Sequence, residues 1–294
     1  YSGAPADESL VVGLSEWPLR WRAALVTSTA DARPEEVFRV AGPSIWPLIT
    51  AFGAVSIFAA ELLKLRWGAL GGAAVIVIGV IGWNWPDKAP ITEEEELAFE
   101  EEHNIPVRVG GSLTVARWGM GLMNLFVAIA FMSILLAYFY LRLENPSWPP
   151  PGIREPSLEL LVIGSALIVG AGLLFRSGLS AIRDGRPRAL IKRVAAAFVS
   201  GLAGLAAGSA HMQNLEFDSQ THSYGSIYHL QGWFAITIAL AALIMTGLVV
   251  YWAIRGEYSI RRHVPVSNVG LFWATTTAVW VIGFSVLALT PALT

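Results

Sequence analysis

The sequence predicts an all-α integral membrane protein of seven transmembrane helices, divided two plus five. Three observations carry that expectation. Only 14% of the 294 residues are charged against 54% hydrophobic, with a mean hydropathy of +0.56, where a soluble domain is about a quarter charged. Seven apolar segments recur, roughly 45–63, 67–85, 115–141, 158–175, 190–210, 227–252 and 267–290, each long enough for a tilted helix to cross a hydrocarbon core of about 30 Å. Segments one and two part only at Lys64-Leu65-Arg66, which demands a tight antiparallel hairpin, whereas a long polar stretch separates segments two and three.

Ahead of the first segment, residues 1–42 form a connector. The chain opens at Tyr1 without a basic region before an apolar core, so these residues do not read as a signal peptide. Trp17, Trp21, Leu25 and Val26, with Arg20 and Arg22 between them, suit either an amphipathic segment lying on a membrane surface or a solvated linker. Asp31-Ala32-Arg33-Pro34-Glu35-Glu36 then reads as a turn into a short helix with Pro34 in its first turn and acids near its N-terminus.

Residues 43–86 hold the helix pair, 87–113 an acidic loop and 114–294 a five-helix bundle. In the loop, Thr92 with Glu95 resembles a capping box, and Leu97 and Phe99 are placed to touch the bilayer surface. The run of glutamates from Glu93 to Glu102 suits a solvated acidic helix, or a collector of protons or a divalent cation. The third segment carries no charge from Gly119 to Leu141, ends in Ala137-Tyr138-Phe139-Tyr140, and leaves through Asn145-Pro146-Ser147-Trp148-Pro149-Pro150-Pro151-Gly152-Ile153. Three consecutive prolines exclude a helix there, so the span ends at a rigid turn.

With seven spans the termini lie on opposite faces. Sixteen Lys and Arg residues fall on the face of the N-terminus and four, Lys64, Arg66, Arg142 and Arg154, on the other, which makes the N-terminal face cytoplasmic. Trp46, Trp67, Trp83, Trp85, Trp118, Trp148 and Trp252 all fall near span ends, as an interfacial belt requires.

The chemistry is bounded as sharply. The chain has no cysteine, which excludes disulfides, thiolate metal sites and a cysteine nucleophile. Ionisable groups in the spans are nearly absent: Glu61 and Arg117 are close enough to span ends to snorkel. Asn124, Ser133 and Thr275-Thr276-Thr277 can bond across helices or to their own backbone. No carboxylate–histidine relay runs through the bundle, so a pump working alone is not expected.

His211, His222 and His229 gather near one surface and suit either haem ligation, the mark of a small electron carrier, or satisfied interfacial positions. A retinal protein needs a lysine in the last segment, and 267–290 has none. A transporter of related halves is not supported by any internal repeat. Gly68, Gly71, Gly72, Gly79 and Gly82 serve more simply to pack segment two on its neighbour.

A series of short motifs runs along the chain: Ile45-Trp46-Pro47-Leu48, then Trp83 and Trp85 with Asp87, then Ala137-Tyr138-Phe139-Tyr140 and Trp148-Pro149-Pro150-Pro151-Gly152-Ile153. Leu215-Glu216-Phe217 follows with Ser223-Tyr224-Gly225-Ser226, and Trp273 with Trp280 closes the series. Taken in that order, the motifs resemble subunit III of the haem–copper terminal oxidases. The segment from Asp31 to Glu36 ahead of Pro43 is similar to the junction in bacterial oxidases whose subunits I and III are one fused chain.

The resemblance implies a non-catalytic subunit of a complex that reduces oxygen to water and pumps protons, in a bacterial plasma (inner) membrane. It implies a V-shaped cleft between the helix pair and the bundle that holds phospholipid, and direct contact with subunit I, whose complex carries the haem and copper. Within this chain it implies no catalytic, cofactor or metal residue, and it points to Arg255, Trp83 and Trp85 as lipid contacts. The chain departs from the family in three places. The glutamate usual in the third helix is absent around Val127, Ala128 and Ile129; the histidines of the sixth are replaced by Gly232-Trp233-Phe234-Ala235; and the His and Asp of the seventh by Ala274 and Thr277. Proton chemistry at those positions is not expected.

Overall fold

The computed structural model describes residues 21–30, 34–41, 44–84, 93–108, 115–145, 147–153 and 156–289. Helices dominate, as the composition demands. Eight occur among the described residues, in two compact units that divide between Val109 and Gly110.

The first unit corrects the reading of the connector. Strand β1 (Trp21–Thr27) pairs antiparallel with β2 (Pro34–Ala41), and β3 (Val107–Arg108) adds parallel to β2, giving the order β1-β2-β3. Residues 21–27 form a strand, and Pro34 opens a strand instead of a helical turn. Trp17 and Arg20 lie outside the described residues. The reason is a buried partner that local pattern does not disclose. Val37 loses all its exposed surface against Phe99, Ile105 and Val107, with Leu25 packed beside them, and such a half-buried surface favours β-branched residues in a sheet.

Between β2 and β3 the chain forms α1 (Trp46–Leu62), α2 (Arg66–Asn84) and the acidic helix α3 (Glu93–His103). Phe99 does not reach for a bilayer. It faces the sheet and stacks on His103 at 4.3 Å, while Leu97 stays exposed. Glu100 Oε1 accepts the Val107 N–H at 3.0 Å, the Val37 N–H donates to the Pro106 carbonyl at 3.1 Å, and Glu96 is buried. Part of the acidic run is thus spent on holding a fold, and Thr92 falls outside the described residues. The β2–β3 pairing has a topological consequence: the α1–α2 excursion returns to where it began.

Helices α1 and α2 approach until their backbones touch. A Cβ added at Gly72 would lie 2.8 Å from the Gly53 carbonyl oxygen, and one at Gly53 would lie 2.9 Å from that of Gly72. Gly68 abuts Ala60, Gly79 abuts Thr50, and Gly82 lies under the Trp46 ring, whereas Gly71 meets open space. Four of the five glycines expected to pack on the neighbouring helix do so. The far faces stay apolar and exposed, as at Phe58, Leu62, Trp67 and Leu70.

The second unit comprises α4 (Val115–Glu144), α5 (Glu159–Arg183), α6 (Pro187–Gln213), α7 (Ser223–Ile254) and α8 (Val264–Leu289). All five are long and apolar enough to cross a membrane; α1 and α2 are apolar but shorter, over Trp46–Ala60 and Leu70–Trp83. Helix α5 packs along α6, α7 lies on α6, α8 closes against α5 and α7, and α4 rests on α7 and α8. Their shared core includes Ile168, Phe175, Val194, Ala239 and Val266, all fully buried.

Two tryptophans of α8 fill recesses left by glycines on α6: Trp273 packs over Gly201 and Trp280 over Gly208. Each indole N–H finds a hydroxyl, Trp273 Nε1 donating to Thr246 Oγ1 at 2.8 Å and Trp280 Nε1 to Ser165 Oγ at 3.1 Å. Asn124, Ser133 and Thr276 donate to carbonyls four residues back in their own helices, at 3.0, 2.9 and 3.0 Å, the expected self-satisfaction in hydrocarbon.

Two variants test these contacts. Phe99→Ala should cost the first unit about 3–4 kcal/mol of local stability, read as faster proteolysis within Trp21–Ala41 with the second unit unchanged. Gly72→Leu should separate α1 from α2, read as loss of the crosslink between a cysteine pair placed across the hairpin in this otherwise cysteine-free chain.

Candidate functional site

At one end of the second unit the Pro-rich exit folds back over the bundle. The N–H of Ile153 donates to the Pro150 carbonyl at 3.3 Å with Gly152 at φ +89°, so Pro151-Gly152 occupies the central positions of a type II turn, where proline presets the first and glycine admits the second. Trp148, joined to Pro149 by a cis peptide bond, lies in the bundle end. It is buried, not part of an exposed interfacial belt, and its Nε1 donates to the Tyr138 hydroxyl at 3.0 Å. Its ring meets Tyr138 and Tyr224 edge-on, with centroids 5.6 and 5.2 Å away. Phe217 fills the remaining space against Tyr224 and Tyr228 at 5.3 and 5.4 Å.

The three clustered histidines each have a structural employment here. His211 is buried and shares a 2.8 Å hydrogen bond with the Tyr228 hydroxyl. His222 caps α7, its Nδ1 accepting the Gly225 N–H at 2.8 Å. His229 donates from Nδ1 to the Gly225 carbonyl at 2.9 Å. Each of these contacts suits the interfacial reading of the histidines. The arrangement is a lock: it ties α4, the Pro-rich exit, α6 and α7 together.

At the opposite end, Arg255 is the C-cap of α7, followed by Gly256 at φ +80°. A cation is favourable at a helix C-terminus. The guanidinium is exposed, lies 5.7 Å from the Tyr251 ring centroid and donates from Nη1 to the Tyr251 hydroxyl at 3.2 Å. It is oriented by its own helix. Trp83 is exposed at the end of α2, and Trp85 lies outside the described residues. Trp83 belongs to the first unit and Arg255 to the second. In the loop after Arg255, Glu257 pairs with Arg262 at 3.9 Å, and burial, then the Glu257 carboxylate, pushes the Tyr258 phenol above its ordinary range.

Where the family carries a glutamate in its third helix, Val127 packs against the core and Ala128 and Ile129 belong to the exposed apolar face of α4. The lock at Trp148 and Tyr138 was missed by sequence reasoning, which saw a rigid surface turn; the aromatic cluster of Ala137–Tyr140 was the signal that a partner was needed.

No family model matches the chain. Among curated proteins it is similar to cytochrome c oxidase subunit 3 of Synechocystis sp., 28% identical over 157 residues, 52% of this chain and 66% of that protein. It is 22% identical to cytochrome c oxidase subunit 3 of Thermostichus vulcanus over 163 residues, 54% of this chain and 80% of that one. To cytochrome c oxidase subunit 3 of Pylaiella littoralis it is 21% identical over 270 residues, 87% of this chain and 95% of that protein. The chain thus spans just under two thirds of the Synechocystis protein and nearly all of the Pylaiella one.

Two measurements check the site. Tyr228→Phe should destabilise the second unit by about 1–2 kcal/mol, since it leaves the buried His211 nitrogen unpaired, read as a lower midpoint of thermal unfolding in detergent. For Tyr258 the raised value favours the neutral phenol in the folded state, so its contribution is full below the ordinary tyrosine pKa of about 10 and is lost as pH climbs beyond it. Alkaline titration of tyrosinate absorbance should accordingly give Tyr258→Phe the same rise around pH 10 as the native chain.

Proposed function

From its kinship with cytochrome c oxidase subunit 3, we propose that this chain is the subunit III of a respiratory terminal oxidase that reduces oxygen to water and pumps protons, and that it is a non-catalytic subunit. The observation that carries the reading is likeness at nearly full length: 87% of this chain aligns with 95% of a subunit 3 chain. In this reading the chain supplies a multi-pass membrane scaffold. Catalysis then belongs to partner subunits, which carry the haem and copper, with subunit I in direct contact.

In this reading α1 and α2 cross the membrane as a pair, making seven spans with the five long helices. The β2–β3 pairing supports an even number of crossings between them, since Pro34–Ala41 and Val107–Arg108 must lie on one side. The basic residues favour a cytoplasmic N-terminus in a bacterial inner membrane. Phospholipid held in the cleft implied by the family, with Arg255, Trp83 and Trp85 as contacts, sustains assembly and turnover of the catalytic subunit. The exposed guanidinium of Arg255, already oriented by Tyr251, supports the first of those contacts.

The test is copurification in mild detergent with a visible spectrum. A colourless chain that travels with a haem–copper subunit is the expected outcome. A Soret band in the isolated chain would instead identify a stand-alone haem carrier and end the reading.

A further inference from the structure

Of the five histidines in the chain, His222 differs from the rest in what its ring nitrogen does. His103, His229 and His263 each bond through Nδ1 to a backbone carbonyl, of Phe99, Gly225 and Ile260, at 3.2, 2.9 and 2.6 Å. A carbonyl only accepts, so those rings donate, and an imidazolium donates as well as a neutral imidazole does. His211 meets the Tyr228 hydroxyl at 2.8 Å, and a hydroxyl takes either part. His222 faces a donor: its Nδ1 accepts the Gly225 N–H at 2.8 Å. That contact requires the neutral ring, with its proton on Nε2.

The position sharpens the requirement. His222 is the half-buried N-cap of α7, where the N–H groups of the first turn form the positive end of the helix dipole. An imidazolium there loses its bond and is repelled as well. The ring meets Phe217 and Tyr224, with centroids 5.9 and 6.2 Å away. The titratable groups of the elements gathered at this end are Glu216 and Asp218 on the α6–α7 loop, Tyr224, Tyr228 and His229 on α7, His211 on α6 and Tyr138 on α4. Both acids belong to the loop, so the attraction they offer an imidazolium points away from the helix end.

The loop is fastened to the same turn. Ser226 Oγ donates to the Ser219 carbonyl at 2.5 Å, the Ser226 N–H donates to the His222 carbonyl at 3.1 Å, and Thr221 Oγ1 donates to the Asp218 carbonyl at 3.3 Å. Phe217 belongs to this loop and packs on Tyr224, the ring that also receives Trp148. Loosening the first turn therefore loosens one side of the aromatic lock.

We propose that His222 is a proton-sensitive latch. The neutral ring closes the first turn of α7 and holds residues 215–221 against the lock; protonation releases them as pH falls through the range, about 8 to 5, in which imidazole gains its charge. The proposal rests on the contacts of α7 and not on membership of an oxidase.

Amide hydrogen exchange of the full-length chain in detergent, followed by mass spectrometry and corrected for the intrinsic pH dependence of exchange, tests this at about pH 8 and pH 5. Peptides covering residues 215–228 should lose about fivefold of their protection at the lower pH, the weight of one helix cap, while those of α5 keep theirs. His222→Asn, which caps without titrating, should be protected equally at both pH values, and His222→Ala should be less protected than the native chain at the higher one. His229→Gln should retain the native difference. Native protection that does not change with pH overturns the proposal, as does a pH dependence that survives in His222→Asn or is lost in His229→Gln. Full protection of His222→Ala at the higher pH, or a loss shared equally by α5, also overturns it. The native comparison decides the matter even if no variant folds.

Discussion

Close approach of helix backbones is the constraint on which both units depend. Within a bilayer, burying an apolar side chain against another helix gains little over leaving it in lipid, so association rests on contact area and on polar groups satisfied between helices. Glycine supplies the contact: Gly53 against Gly72 in the hairpin, and Gly164 against Gly204 between α5 and α6, where an added Cβ would come within 3.3 Å of backbone. Where α6 does not meet a backbone it admits an indole, at Gly201 and Gly208. The indole N–H groups then need acceptors, and Thr246 and Ser165 provide them. Backbone approach and polar satisfaction are two consequences of one solvent.

The ends of the second unit obey a different rule, because water is near. At one end the Pro-rich exit is rigid, so it can hold Trp148 down on Tyr138 and Tyr224 without an entropic cost of ordering a flexible loop. At the other the turns are short and cationic, and their few acids are already paired.

Much of this was legible in the chain. The apolar segments reappear as helices with ends shifted by a few residues: the segment near 190–210 begins at Pro187, and that near 227–252 begins at Ser223 with His222 as its cap. Uncharged length is a one-dimensional property, and a membrane reads it directly. Arg255 was legible as a helix-terminal cation, while its orientation by Tyr251 depends on a rotamer. The histidines left two chemistries open because sequence spacing does not say which ring nitrogen meets Tyr228 or a backbone N–H. The strands of the connector were not foreseen because the pattern of Trp21 to Val26 discloses no partner until Val37, Phe99 and Val107 are brought together.

Composition, the spacing of apolar segments and the placement of proline determined that this is a multi-pass membrane protein and where its helices run. The order of its short motifs already pointed to subunit III of the terminal oxidases. Tertiary structure decided which glycines touch and which do not, turned a connector and an acidic loop into one small sheet, and buried Trp148. The division has a physical cause. A single chain records burial from lipid or water residue by residue, whereas a strand needs a partner, and that comes from a segment far apart in sequence.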